Sequence, residues 1–199
     1  MTFRLGKILV LGVSILLSLA VSVHADDRPS DDAQFTDGTR TRGLVGGWGH
    51  SWRPIFGQTR SEIAFVAFTP RMGWFVAERL EIYGEGTLFV YDRPQAAIAA
   101  GPQLAGRYYL KTHGRWIPYV HGGAGLLWTS LDVPEIDRIF NFQLVMGVGW
   151  RQNRASGPCW VFEFRNHHIS NAGTGPGKNL GINAATVLTG IEWVLRPSR

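Results

Sequence analysis

The chain has 199 residues, 45% hydrophobic and 18% charged, with 25 Gly, eight Trp, one Cys and a formal net charge of +5. Twenty Lys and Arg against 15 Asp and Glu form a small, scattered excess with no basic run, which argues against a nucleic-acid partner. With Cys159 as its lone cysteine, the chain cannot form an intramolecular disulfide, so no staple stabilises the fold.

Arg4 and Lys7 precede the apolar run from Ile8 to Val23, and Val23-His24-Ala25 puts small residues before Asp26 where a signal peptidase needs them. Residues 1–25 are therefore expected to be a cleaved signal peptide, the other reading being a transmembrane anchor near the lower length limit. Cleavage leaves a chain of single-domain length with a net charge of +3, because Arg4 and Lys7 leave with the peptide. Residues 26–42 are polar, charged and aperiodic, the pattern of a disordered leader. The folded domain is expected over 43–199.

From Gly43 onward the signal is alternation with period two. Between Leu80 and Val90 the even positions are apolar or Gly, while Glu81, Tyr83, Glu85 and Thr87 stand among the odd ones. From Phe140 to Trp150 a large aliphatic and aromatic face opposes Asn141, Gln143, Gly147 and Gly149. Trp160, Phe162 and Phe164 oppose Val161, Glu163 and Arg165 in the same way. Eight strands are predicted, over 43–52, 61–75, 79–92, 97–111, 116–130, 138–151, 158–170 and 183–196.

Strands this long, even in number and behind an export signal, predict an all-β, eight-stranded antiparallel transmembrane barrel of the outer-membrane type. A periplasmic sandwich or lipocalin-like barrel shares the alternation. In the membrane barrel Glu81, Glu85, Arg107, Glu163 and Arg165 point into an interior too narrow for a pore, where pairing offsets their desolvation. The eight Trp fall near strand ends, as interfacial girdles require.

The polar stretch from Arg165 to Asn183 carries the candidate chemistry. His168 and Ser170 leave the same face of a strand, the face of Phe162 and Phe164, with Cα atoms roughly 6.5–7 Å apart. A base beside a hydroxyl is the arrangement that activates a serine nucleophile. His167, the neighbour of His168, points to the other face, so the two are no chelate. No metal-ligand or nucleotide-binding spacing is found, and no cofactor is expected. Gly173 to Lys178 is no phosphate loop, since no helix follows it.

The run His168-Ile169-Ser170-Asn171-Ala172-Gly173, followed by a Gly/Pro/Lys loop, Asn179 and Gly181-Ile182, resembles the lipid A 3-O-deacylase (PagL) family of small outer-membrane barrels. The resemblance implies that His168 is the general base, Ser170 the nucleophile and Asn171 a donor to the oxyanion. Asn171 also reads as an Asx-turn residue. Where the family places the acid that orients the His, this chain has Asn183, an amide able to accept from Nδ1–H but not to balance an imidazolium charge. Outer-membrane phospholipases A use a Ser-His-Asn arrangement, and Asn183 also reads as a strand-start amide. Lys178 reads either as a contact to a lipid A phosphate or as a solvated charge.

The resemblance thus implies a hydrolase of an ester-linked acyl chain of lipopolysaccharide, with lipid A and outer-membrane lipids as its partners. A non-catalytic surface or structural barrel and an outer-membrane phospholipase are the other readings.

Overall fold

The computed structural model describes residues 32–53, 59–136, 139–154, 156–174 and 179–195. The expected signal peptide, residues 1–25, lies outside the described residues. Eight antiparallel strands close on themselves in sequence order, β8 returning to pair with β1: β1 Arg40–Ser51, β2 Ala64–Ala77, β3 Leu80–Arg93, β4 Ala97–Tyr109, β5 Trp116–Thr129, β6 Phe140–Gln152, β7 Pro158–Ser170 and β8 Ile182–Leu195. The all-β, eight-stranded antiparallel barrel read from the sequence is thus the observed fold, with strands of 12 to 14 residues, enough to cross a bilayer at a tilt.

Most strand ends shift by one to three residues from the expectation, and the N-terminal one matters most. β1 starts at Arg40, three residues early, and the segment assigned to a disordered leader contributes a 3₁₀ turn, Asp32–Phe35, that closes one end of the barrel. Phe35 is fully buried, its ring 4.9 Å from that of Tyr109 and 6.0 Å from that of Phe75. Gln34 donates to the Asn153 side chain at 2.8 Å and to the Arg154 carbonyl at 2.9 Å. A single aromatic among charged residues carries no periodicity, which is why the plug is invisible to pattern reading.

The rim at this plugged end has short connections, such as Glu78-Arg79 between β2 and β3; we call it the lower rim. The upper rim bears the β1–β2, β5–β6 and β7–β8 connections, of 12, 10 and 11 residues. Short turns at one rim and longer loops at the other are the asymmetry of outer-membrane barrels.

Alternation sorts the side chains strictly. Outward lie Leu44, Phe68, Met72, Leu104, Met146, Phe164 and Val187, all exposed. Trp48 and Trp128 stand toward the upper rim and Trp74 and Trp150 toward the lower, each a little under half exposed, as headgroup-level anchors are.

Inside, the odd-face charges of the sequence reading are all buried, and they interlock. Glu163 accepts from Arg71 Nη1 and Nη2 at 2.8 and 3.0 Å, from Arg165 Nη2 at 2.7 Å and from the Tyr119 hydroxyl at 2.6 Å. Arg165 also grips Glu85 at 2.7 and 2.9 Å, and Arg107 grips Glu192 at 2.9 and 3.0 Å. Glu81 accepts from the hydroxyls of Thr41 and Tyr109. Arg151 stands apart, 4.6 Å over the Phe35 ring and 4.9 Å from that of Tyr109, where cation–π attraction ties it to the plug.

Four Arg and four Glu thus balance within the barrel, which limits the cost of burying them. Toward the upper rim the filling turns apolar, with Phe65, Phe89 and Tyr91 packed ring to ring and Ile169 and Ile182 beside them in the core. Layered in this way the interior is solid, so any chemistry has to happen on the outer face or at a rim.

Candidate functional site

β7 runs upward from Pro158, so its last turns of pleat lie at the upper rim. Its even residues face outward: Phe162 and Phe164 are exposed, and His168 and Ser170 continue the row, half-buried. His167 faces the interior, 3.0 Å from Gln143 Oε1 and against the Phe89 ring, which makes it a packed core histidine. Across the strand pairs, Ser170 stands opposite Phe142 and His168 opposite Leu144 on β6, and His168 is paired with Asn183 on β8.

The His168–Asn183 register brings the two side chains together at 3.0 Å, Nδ1 to Oδ1. Because an amide oxygen only accepts, Nδ1 carries the proton and the lone pair lies on Nε2. That is the tautomer a general base requires. Asn183 is nearly buried although its strand face is the outer one, because the loop after β1 folds over it. Trp52 N–H donates to the Asn183 carbonyl at 3.1 Å, and the Trp52 indole N–H donates to Asn166 Oδ1 on β7 at 2.9 Å. The indole therefore reaches over β8, where Ala185 is the intervening partner of both Asn166 and His50.

Two residues of this site escaped the sequence reading. Thr59, buried at the return of the β1–β2 loop, accepts from Asn183 N–H at 2.8 Å. Glu135, fully buried in the β5–β6 loop, accepts from Arg60 N–H and Ser61 N–H, both at 2.6 Å, and from the Ser61 hydroxyl at 2.9 Å; its own carbonyl accepts from Gly181 N–H at 3.2 Å. One residue, through its carboxylate and its backbone carbonyl, thereby ties three upper loops together. Burial opposes its ionisation, but the Ser61 and Arg60 hydrogen bonds outweigh that and hold the Glu135 carboxyl below the usual range. Neither residue lies within 40 positions of both Ser170 and the other, and no local spacing marks them.

Asn171 is fully buried, its Oδ1 accepting from Gly173 N–H at 2.8 Å, and its backbone N–H donates to Asn179 Oδ1 at 3.2 Å. The side chain thus makes the Asx turn that opens the β7–β8 loop. Lys178 lies outside the described residues. Among the described residues no group of His, Cys, Asp or Glu is arranged to hold a metal ion.

Gly181 closes the loop with φ +70°, and a Cβ there would stand 2.7 Å from His168 Cε1 and 3.3 Å from Nε2. Gly181→Ala is therefore expected to displace the imidazole and strain the backbone together. A misplacement of about 1 Å costs on the order of 10² in rate, so any turnover that uses this ring should fall about 10- to 100-fold with the barrel still folded. Unchanged turnover in the variant would show that this ring position does not matter.

Fold and site together define an outer-membrane-type β-barrel with a His–Asn pair and a neighbouring Ser on its outer face, beside apolar surface. The chain belongs to the lipid A 3-O-deacylase (PagL) family, whose sequence profile matches residues 47–192 and so spans β1 to β8. The crystal structure of the outer membrane enzyme PagL superposes with a TM-score of 0.50 at 16% identity, covering 76% of this chain and 97% of that one. The outer membrane protein OprG from Pseudomonas aeruginosa covers 82% of this chain and 99% of its own at 8% identity, with a TM-score of 0.46. AlkL, solved in lipid bilayers, covers 88% and 99% at 12% identity, with a TM-score of 0.43. No curated protein matches the chain in sequence.

Proposed function

We propose that the chain is an outer-membrane esterase that removes an ester-linked acyl chain from lipid A, with Ser170 as nucleophile and His168 as base. The observation that carries the reading is the 3.0 Å hydrogen bond from His168 Nδ1 to Asn183 Oδ1, which leaves Nε2 basic on the face Ser170 shares. Nε2 takes the Ser170 proton as Oγ attacks the ester carbonyl, and returns it to the departing sugar hydroxyl. Water then attacks the acyl-serine with the same base, and the fatty acid and free Ser170 result.

A site on the outer face meets its substrate from within the bilayer. Phe142 stands opposite Ser170, and the exposed Leu144 and Met146 continue that outward row of β6 away from the rim, an apolar surface along which an acyl chain fits. With the longer loops at the cell surface, the site opens into the outer leaflet, where lipid A resides. We place the mature chain in that membrane, starting at Asp26. Asn171 contributes by shaping the turn after Ser170 through Oδ1, and donation to the oxyanion falls to its Nδ2. We also assign Lys178, by its charge alone, to contact with a lipid A phosphate.

Purified protein in detergent micelles, given lipid A, should release fatty acid, and phospholipid offered in its place should not be cleaved at a comparable rate. Asn183→Glu or Asn183→Asp should raise turnover, since a carboxylate balances the imidazolium charge that a neutral amide leaves uncompensated. An amide in place of an acid costs ~10⁴ in a serine protease, chiefly through the wrong tautomer. Here the tautomer is already correct, so the gain should be roughly 3- to 100-fold, about 0.6–2.7 kcal/mol. Asn183→Ala should lose activity. Wild-type rates in both the Ala and the Glu variants would remove Asn183 from the site.

A further inference from the structure

We propose that Thr59 is a positioning residue that sets the tautomer of His168, by deciding which end of the Asn183 amide faces the imidazole. The proposal deepens the esterase reading above and rests on it for its kinetic consequence. An amide has two ends of nearly the same shape, one accepting and one donating. Only the carbonyl end places the proton on Nδ1 and frees Nε2. The reversed amide sets a donor against Nδ1, favours the Nε2–H tautomer and takes the base away. A carboxylate at this position has no such choice to make, because both its oxygens accept.

Asn183 therefore requires a neighbour that accepts from Nδ2, and Thr59 has the geometry for it. Its hydroxyl oxygen accepts from Asn183 N–H at 2.8 Å and lies 3.4 Å from Asn183 Nδ2, while the hydroxyl hydrogen is directed to the Gly181 carbonyl, also at 3.4 Å. With its proton committed to Gly181, the hydroxyl presents only lone pairs to Asn183. Turning the amide over would set Oδ1 against those lone pairs and Nδ2 against the His168 ring. The contact to Nδ2 is long, so its polarity matters more than its strength.

The surroundings keep this arrangement in place. Thr59 is 3% exposed, which limits competition from water for its hydroxyl. Gly181, the acceptor of its proton, is fastened by its own N–H to the Glu135 carbonyl, and the residues after Thr59 are fastened to the Glu135 carboxylate. The β1–β2 loop, 124 residues from Asn183 in sequence, is thereby held as the third layer of the site.

Thr59→Val removes the hydroxyl and keeps the shape, while Thr59→Ser keeps the hydroxyl. With full-length protein in micelles and lipid A as substrate, Thr59→Val should lower kcat about 10- to 100-fold with KM little changed, a fraction of the ~10⁴ that a wholly wrong tautomer costs. Thr59→Ser should restore most of it. In an Asn183→Asp background the same Thr59→Val change should cost less than about 3-fold, since the carboxylate has no orientation to lose. ¹⁵N spectra of the His168 ring should show Nδ1–H in the wild type and a gain of Nε2–H in Thr59→Val, a readout that needs no turnover.

An unchanged tautomer in folded Thr59→Val, or an equal loss of kcat in both backgrounds, would overturn the proposal. If Ser170→Ala leaves acyl release intact, the esterase assignment fails, and the ring spectra alone decide the role of Thr59. If Ser170→Ala abolishes release and Thr59→Val does not alter it, the Thr59 proposal falls and the esterase assignment stands.

Discussion

Ser170→Ala and His168→Ala are each expected to abolish acyl release, by about 10⁴- to 10⁶-fold, while the purified proteins keep the heat-modifiable gel migration of a folded barrel. Where nucleophile and base act as one unit, removing either costs about as much as removing both, so the double variant should be no worse than the singles. The barrel should tolerate both changes because the two side chains lie on the outer face and fill no interior space. His168 does hold Asn183, yet Asn183 keeps its backbone hydrogen bond to Thr59 when the imidazole is gone. A Ser170→Ala protein with wild-type turnover would show the nucleophile to be misassigned.

The second large effect is on stability and lies in the interior. Glu163 is the hub through which Arg71 and Arg165 are both neutralised, and Tyr119 donates to it as well. Glu163→Ala leaves those two guanidinium groups competing for Glu85, with Glu192 the remaining carboxylate within reach of Arg71. Removing one partner of a buried ion pair typically costs about 3–5 kcal/mol, because the survivor is a desolvated charge without compensation. Thermal unfolding in detergent should shift down accordingly, and acyl release below the new transition should persist, since neither Ser170 nor His168 is a hydrogen-bond partner of Glu163. An unchanged transition would mean that water or a rearranged network takes over the role of Glu163.

The barrel was legible because its rule is local: period two writes inside and outside into every strand, so the buried Glu81, Glu85, Arg107, Glu163 and Arg165 could be assigned inward from parity alone. His168 and Ser170 were legible for the same reason, since two residues apart on one strand means one face. Asn183 came from the family resemblance, and the strand register then brought it to His168. Phe35 escaped notice as one ring in a charged segment, its burial decided by where β1 begins. Thr59 and Glu135 escaped for a different reason. Each acts through a loop that folds back over the strands, and contacts spanning more than 70 positions leave no trace in local spacing. Asn171 allowed two readings in the sequence, and its Asx turn with Gly173 is the one observed.

The central claim is that a Ser–His site on the outer face of this barrel deacylates lipid A. Its most direct test is mass spectrometry of lipid A extracted from outer membranes of cells carrying the wild-type gene, the Ser170→Ala gene or neither. The account predicts that wild type alone yields a species lighter by one ester-linked acyl chain, and that Ser170→Ala, present at the same level in the same membrane, gives the spectrum of cells without the protein. Lipid A of unchanged mass in wild-type cells, with the folded barrel shown to be in the outer membrane, would contradict it.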